Sequence, residues 1–113
     1  MKKIKLRDNE TVLEDEAARL YRVDVPALRR SLGRNKKRFP GGAVFQLTKS
    51  EMTALGLKFV RSRSAPYAFT RFGYIMLANI LNSPTAIKAH IRRIRSVCRH
   101  LSFEAIIRMI AGQ

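Results

Sequence analysis

Tryptophan is absent from this 113-residue chain, cysteine occurs once, and carboxylates almost disappear after residue 24. Each shortage excludes something. The single cysteine, Cys98, excludes an intrachain disulfide framework and fits a reducing compartment. No run approaches the ~18 consecutive apolar residues of a membrane span. The opening MKKIKLRDNE is charged and lacks the apolar stretch of a signal peptide. A soluble protein of the cytoplasm is therefore expected, with no membrane partner. Beyond Asp24 the only acids are Glu51 and Glu104. Nuclease and hydrolase sites need carboxylates, or a nucleophile beside a base, so catalysis is not expected and no cofactor is implied. His90, Cys98 and His100 fall on one predicted helix at separations of eight and two residues, which puts them on different faces and argues against a tetrahedral metal site.

What is abundant is positive charge. The net charge is +15, and its placement matters more than its size. Residues 1–24 hold six bases and six acids, whereas 25–113 hold seventeen bases and two acids. Self-repulsion on that scale opposes a compact domain, and a polyanionic partner relieves it, nucleic acid before membrane. Exposed aromatic pairs for base stacking are not evident, which favours double-stranded DNA over RNA. With 46% hydrophobic residues the chain can bury one core, and no repeat or linker divides it. One domain over 1–113 is the natural reading.

Lys3 to Arg7 and Thr11-Val12 read as short strands around an Asp8-Asn9 turn. Helical spacing then runs from Leu13 to Tyr21. Asp24 caps a second helix with Pro26 in its first turn, Leu28 and Leu32 forming its buried stripe. Phe39-Pro40-Gly41-Gly42 ends that helix, and Ala43 to Leu47 is strand-like. Thr48-Lys49-Ser50-Glu51 is a capping box for a short helix closed by Gly56. Leu57 to Arg61 and Ala65 to Phe69 read as a hairpin around Ser62-Arg63-Ser64. Thr70 caps a helix to Leu81, and Ser83-Pro84 starts another. On that last helix Ile87, Ile91, Ile94, Cys98 and Leu101 recur every four or three residues, and Lys88, Arg92, Arg95 and Arg99 repeat the spacing one residue on. The apolar row is expected to be core, packed on the helix from Thr70, with Cys98 inside it. The basic row is expected to meet phosphates. The fold class is thus α+β: a small single domain with about five helices and a few short antiparallel strands.

The first two helices have the apolar pattern of a helix-turn-helix in Ala17, Tyr21, Val23 and Leu28, with Arg29, Arg30 and Arg34 expected to face outward. Arg22 sits where many such turns carry glycine. The segment RNKKRFPGGAVFQL from Arg34 sets a dense cationic cluster against an apolar strand. A strand anchored in the core would hold that cluster in a fixed orientation for phosphate contact. Asn35 has the chemistry to read an adenine edge, and helix C-capping is its competing role.

Arg34-Asn35, Arg38-Phe39-Pro40 and Phe45-Gln46-Leu47-Thr48 form one motif, and Pro66, Ala68-Phe69-Thr70 and Gly73 a second. On these the chain, from about Val12 to Leu101, resembles the phage ORF-six N-terminal domain family, related to KilA-N. Arg71 stands where that family usually has an acid, Phe72 where it usually has a polar residue, and Arg22 replaces its common glycine. The resemblance implies a DNA-binding module of phage antirepressors and prophage remnants, working in the bacterial cytoplasm near the nucleoid. Its alternative implication is a module that sequesters an acidic repressor or other host protein, and a homodimer is compatible with either. The DNA-contacting residues expected are Arg29, Arg30, Arg34, Asn35, Lys36, Lys37, Arg38, Arg61, Arg63, Arg71, Lys88, Arg92, Arg95 and Arg99.

Overall fold

A computed structural model describes residues 1–58 and 64–112. The chain opens with strands β1 (Ile4–Leu6) and β2 (Asn9–Leu13), followed by helices α1 (Glu14–Tyr21) and α2 (Val25–Asn35) and a 3-10 turn over Lys36–Arg38. Strand β3 (Val44–Gln46), helix α3 (Lys49–Ala54) and strand β4 (Tyr67–Thr70) come next. Helices α4 (Arg71–Ile80), α5 (Pro84–His100) and α6 (Phe103–Ala111) complete it. The α+β class holds, with six α-helices among the described residues.

The four strands form one antiparallel sheet in the order β1-β2-β4-β3. Its register lines up Val12, Phe69 and Val44 across three strands, and Leu13, Ala68 and Phe45 in the adjacent row. Strand side chains alternate between faces. The Phe69 row therefore meets Leu28, Leu32 and Leu77 from α2 and α4, all fully buried. The Ala68 row meets Met52 of α3, and Leu55 just after that helix, on the other face. The sheet thus separates a large core from a small one.

Local chemistry explains most boundaries. Helix α1 starts on Glu14, Asp15 and Glu16, three acids at the positive end of its dipole. The Asp24 carboxylate accepts from the Ala27 amide at 2.7 Å and Pro26 occupies the first turn, as expected for α2. The Thr48–Glu51 capping box forms in both directions. Thr70 and Ser83 cap α4 and α5.

Several expectations shift. The first turn is Arg7-Asp8 rather than Asp8-Asn9, with positive φ at both residues (49° and 63°), the mirror-image turn whose twist suits a hairpin. Arg7 is fixed there by two hydrogen bonds of 3.0 Å to the Glu51 carboxylate, and lies 3.9 Å over the Phe45 ring. The hairpin read over 57–69 is not the observed pairing: Leu57 and Lys58 are exposed and outside any strand. Residues 59–61 of that expected strand and Ser62-Arg63 of its turn lie outside the described residues. Strand β4 pairs instead with β2 and β3, both distant in sequence.

The largest correction concerns α5. Ile87, Ile91 and Ile94 are 44–47% exposed, Leu101 is 38% exposed, and Cys98 is exposed as well. The face turned to the body carries Ala86, which is fully buried, and Ala89. Arg93 braces the contact by donating to the Ile75 carbonyl at 3.0 Å and to Asn79 Oδ1 at 2.8 Å. Small side chains let α5 approach α4 closely, and the isoleucine row, one residue further round the helix, is left outside.

The Glu51 carboxyl is held down at about 2 from an ordinary 4.5, first by the Arg7 guanidinium and then by the Thr48 amide. A depressed carboxyl contributes stability that is full above its unfolded pKa and lost as pH falls through its folded one. Acid titration followed by circular dichroism should therefore show stability declining from about pH 4.5 towards 2 in the native chain. Glu51→Gln should flatten that decline.

Candidate nucleic-acid interface

Helices α1 and α2 are joined by Arg22, Val23 and Asp24 alone. Arg22 adopts the left-handed conformation (φ 59°, ψ 48°) that glycine usually supplies in such a turn. Its amide reaches the Arg19 carbonyl at 3.2 Å, and the Val23 amide reaches the Ala18 carbonyl at 3.0 Å, so the end of α1 is closed in spite of the side chain. Two helices joined by a three-residue turn are thus present, with arginine at the strained position of that turn. Tyr21 then ties the pair to α4 through a 2.7 Å hydrogen bond from its hydroxyl to the Tyr74 carbonyl.

The cationic cluster spans the end of α2 and the 3-10 turn. Arg30, Arg34, Lys36, Lys37 and Arg38 are all exposed, and none has a carboxylate partner among the described residues. The ion pairs lie elsewhere: Lys3 with Glu10, Arg7 with Glu51, Arg19 with Glu16 and Arg29 with Glu14. Cations at the C-terminal end of a helix also meet its negative pole, which stabilises the cluster without neutralising it. The Lys36 ammonium lies 5.8 Å from the centre of the Tyr67 ring.

The cluster leads directly into the Pro40–Ala43 corner. The Ala43 amide donates to the Pro40 carbonyl at 3.0 Å, and Gly42 takes φ 83°. The Ala43 carbonyl then accepts from both the amide and the hydroxyl of Thr70, at 3.0 and 3.1 Å. Directly above it is Gly73, where a Cβ would stand 2.1 Å from that same oxygen. The corner is thus seated on the first turn of α4, and only glycine allows the approach. Gly73→Ala should lower stability by at least ~1–3 kcal/mol, because backbone rather than a flexible side chain must move. Urea denaturation of the variant checks this, and an unchanged midpoint would mean the seat is not tight.

Not every expected contact residue belongs to this surface. Arg29 does not face outward. Its Nε donates to Glu14 Oε2 at 2.8 Å, a second bond joins its Nη2 to Glu14 Oε1, and Nη2 also reaches the Ser64 and Ala65 carbonyls at 3.3 Å. Hydrogen bonding to Glu14 raises its pKa further. Asn35 donates to the Ser31 carbonyl at 2.8 Å, the helix-end role rather than an adenine-reading one. Arg61 and Arg63 lie outside the described residues. Arg71 is exposed at the start of α4, near Lys5 and Phe72 on a separate groove. Lys88, Arg92, Arg95 and Arg99 are exposed along α5, as expected, but beside an exposed apolar row. Sequence reasoning missed Tyr67, whose ring carries both Arg29 and Lys36, and Arg93, whose partner Asn79 is the one amide side chain on α4.

Residues 1–80 match the ORF6N domain. The chain belongs to the ORF6N domain family. The match takes in β1 through α4, hence the α1–α2 pair, the cationic cluster and the Gly73 seat, and stops before α5. Comparison with curated proteins and with solved structures finds no match. The two motifs read from the sequence both lie inside the match: Arg38-Phe39-Pro40 leads into the corner, and Ala68-Phe69-Thr70 with Gly73 forms the platform that receives it. No helix among the described residues is long and apolar enough to cross a membrane.

Proposed function

We propose that the chain is the DNA-binding domain of a phage- or prophage-derived transcriptional regulator of antirepressor type, and that it grips duplex DNA chiefly through backbone phosphates. The observation that carries this reading is the set of exposed cations Arg30, Arg34, Lys36, Lys37 and Arg38, without carboxylate partners among the described residues, running from α2 into the corner seated on Gly73. Phosphate contact outweighs base reading because the first turn of α2, the part of a recognition helix that usually meets base edges, offers Val25, Pro26 and Ala27. Those side chains bring no hydrogen-bonding groups. Arg30 and Arg34, four residues apart on one face, are the remaining candidates for a guanine edge. The reading needs no cofactor and no catalytic group, and it assigns the protein to the nucleoid in the cytoplasm.

The test is competition. A labelled duplex bound to the domain is challenged with unlabelled duplex and with polyglutamate at equal total charge. Duplex should compete much better, because counterion release from densely charged DNA supplies the larger gain. If polyglutamate competes equally well, the surface serves an acidic protein partner and the DNA assignment fails.

A further inference from the structure

The segment beyond the family match behaves unlike the rest. Its two helices and the Leu101 between them carry eight large apolar side chains that average about half exposed, including Phe103 at 75% and Ile110 at 78%. At that exposure they present on the order of 700 Å² of apolar surface, near the ~800 Å² per partner of a standard interface. A patch of that size marks an association surface. The row Ile87, Ile91, Ile94, Cys98 and Leu101 alternates steps of four and three residues. That is the 3.5-residue repeat of a helix seam rather than the broader stripe of a helix laid on a globular core.

We propose that α5 and α6 form an exchange arm: the apolar face of α6 from one copy seats on the isoleucine row of α5 in a second copy, and the reverse contact closes the pair. Both halves of the interface are present in one chain and unoccupied in it. The connector is only Leu101 and Ser102, and both are extended (φ −121°, ψ 141° and φ −67°, ψ 162°), so α6 is led away from its own α5. In α6 only Ala105 and Ile106 are even half-buried. Phe103, Ile107 and Ile110 fall on one side at helical spacing.

Charge selects α6 as the occupant. Pairing α5 with another α5 would set Lys88 and Arg95, which flank the seam, against like charges. Helix α6 contributes Arg108 but also Glu104, the one acid after Glu51. The reciprocal arrangement is an isologous two-fold contact, which closes on itself. It does not depend on the DNA-binding reading.

Sedimentation velocity of the full chain, from micromolar to sub-millimolar concentration, tests the arm. The expected result is a shift from the 12.9 kDa monomer to a dimer, with Cys98 alkylation slowing as the dimer forms. Ile94→Lys and Ile107→Glu should each weaken dimerisation by at least ~10-fold while leaving the circular dichroism melt of the domain intact, since both sites are exposed. Mixing the two variants should restore a dimer, because the mixed pair keeps one unaltered arm. A folded monomer at every concentration overturns the proposal. So does a monomer with protected Cys98, which means α6 folds onto its own α5. A monomer that binds a glutamate-flanked leucine heptad helix also overturns it and gives the face to an acidic partner.

Discussion

Replacing Arg29 by alanine is expected to cost about 3–5 kcal/mol of folding stability, a large share of the ~5–15 kcal/mol that holds a typical domain together. The cost comes from what is left behind. The Glu14 side chain is only 8% exposed, and Arg29 is its one ion-pair partner among the described residues. Removing the guanidinium strands a buried carboxylate and frees the Ser64 and Ala65 carbonyls as well. The pair itself need not be strongly stabilising, because both charges were taken out of water to form it. Replacing both partners by apolar residues, as in Glu14→Leu with Arg29→Met, should therefore recover most of the loss. Thermal melts of the two single variants and the double variant measure this. A loss under ~1 kcal/mol for Arg29→Ala would show that solvent reaches Glu14 and that the two helices do not depend on the pair.

That arginine also shows where sequence reading stops. Arg29 and Arg30 are neighbours of identical chemistry, and only the folded position of Glu14, fifteen residues earlier, commits one to the interior and leaves the other free. The caps were legible because they are local: Asp24, Thr48, Thr70 and Ser83 each bond an amide three residues on. The pairing of β4 was not, because its partners come from β2 and β3 rather than from an adjacent turn. On α5 the periodicity correctly revealed an apolar row, but periodicity does not say which body the row meets. The contact was decided by Ala86 and Ala89, residues too small to stand out in a hydrophobic pattern. Gly73 was visible as a motif residue, and its reason, the approach of the Ala43 carbonyl, required the fold.

The second large effect is on DNA. Replacing Arg30, Arg34, Lys37 and Arg38 together by glutamine should reduce duplex affinity on the order of 10³-fold near 0.1 M salt, because about four phosphates are no longer neutralised. Folding should hold or improve slightly, since all four side chains are exposed and the substitution removes mutual repulsion. Replacing Lys88, Arg92, Arg95 and Arg99 instead should cost less, because that row lies on the arm outside the ORF6N match. If the α5 set costs more than the α2 set, the principal contact surface has been placed on the wrong helix.

The most direct measurement is the salt dependence of duplex binding by the native chain and by the α2 fourfold variant. Log affinity of the native chain should fall linearly with log salt concentration, and the variant's slope should be shallower by about 3.6, at ~0.9 for each phosphate left without its cation. Equal slopes, or a native chain that fails to bind duplex even at low salt, would contradict a phosphate grip built on Arg30 to Arg38.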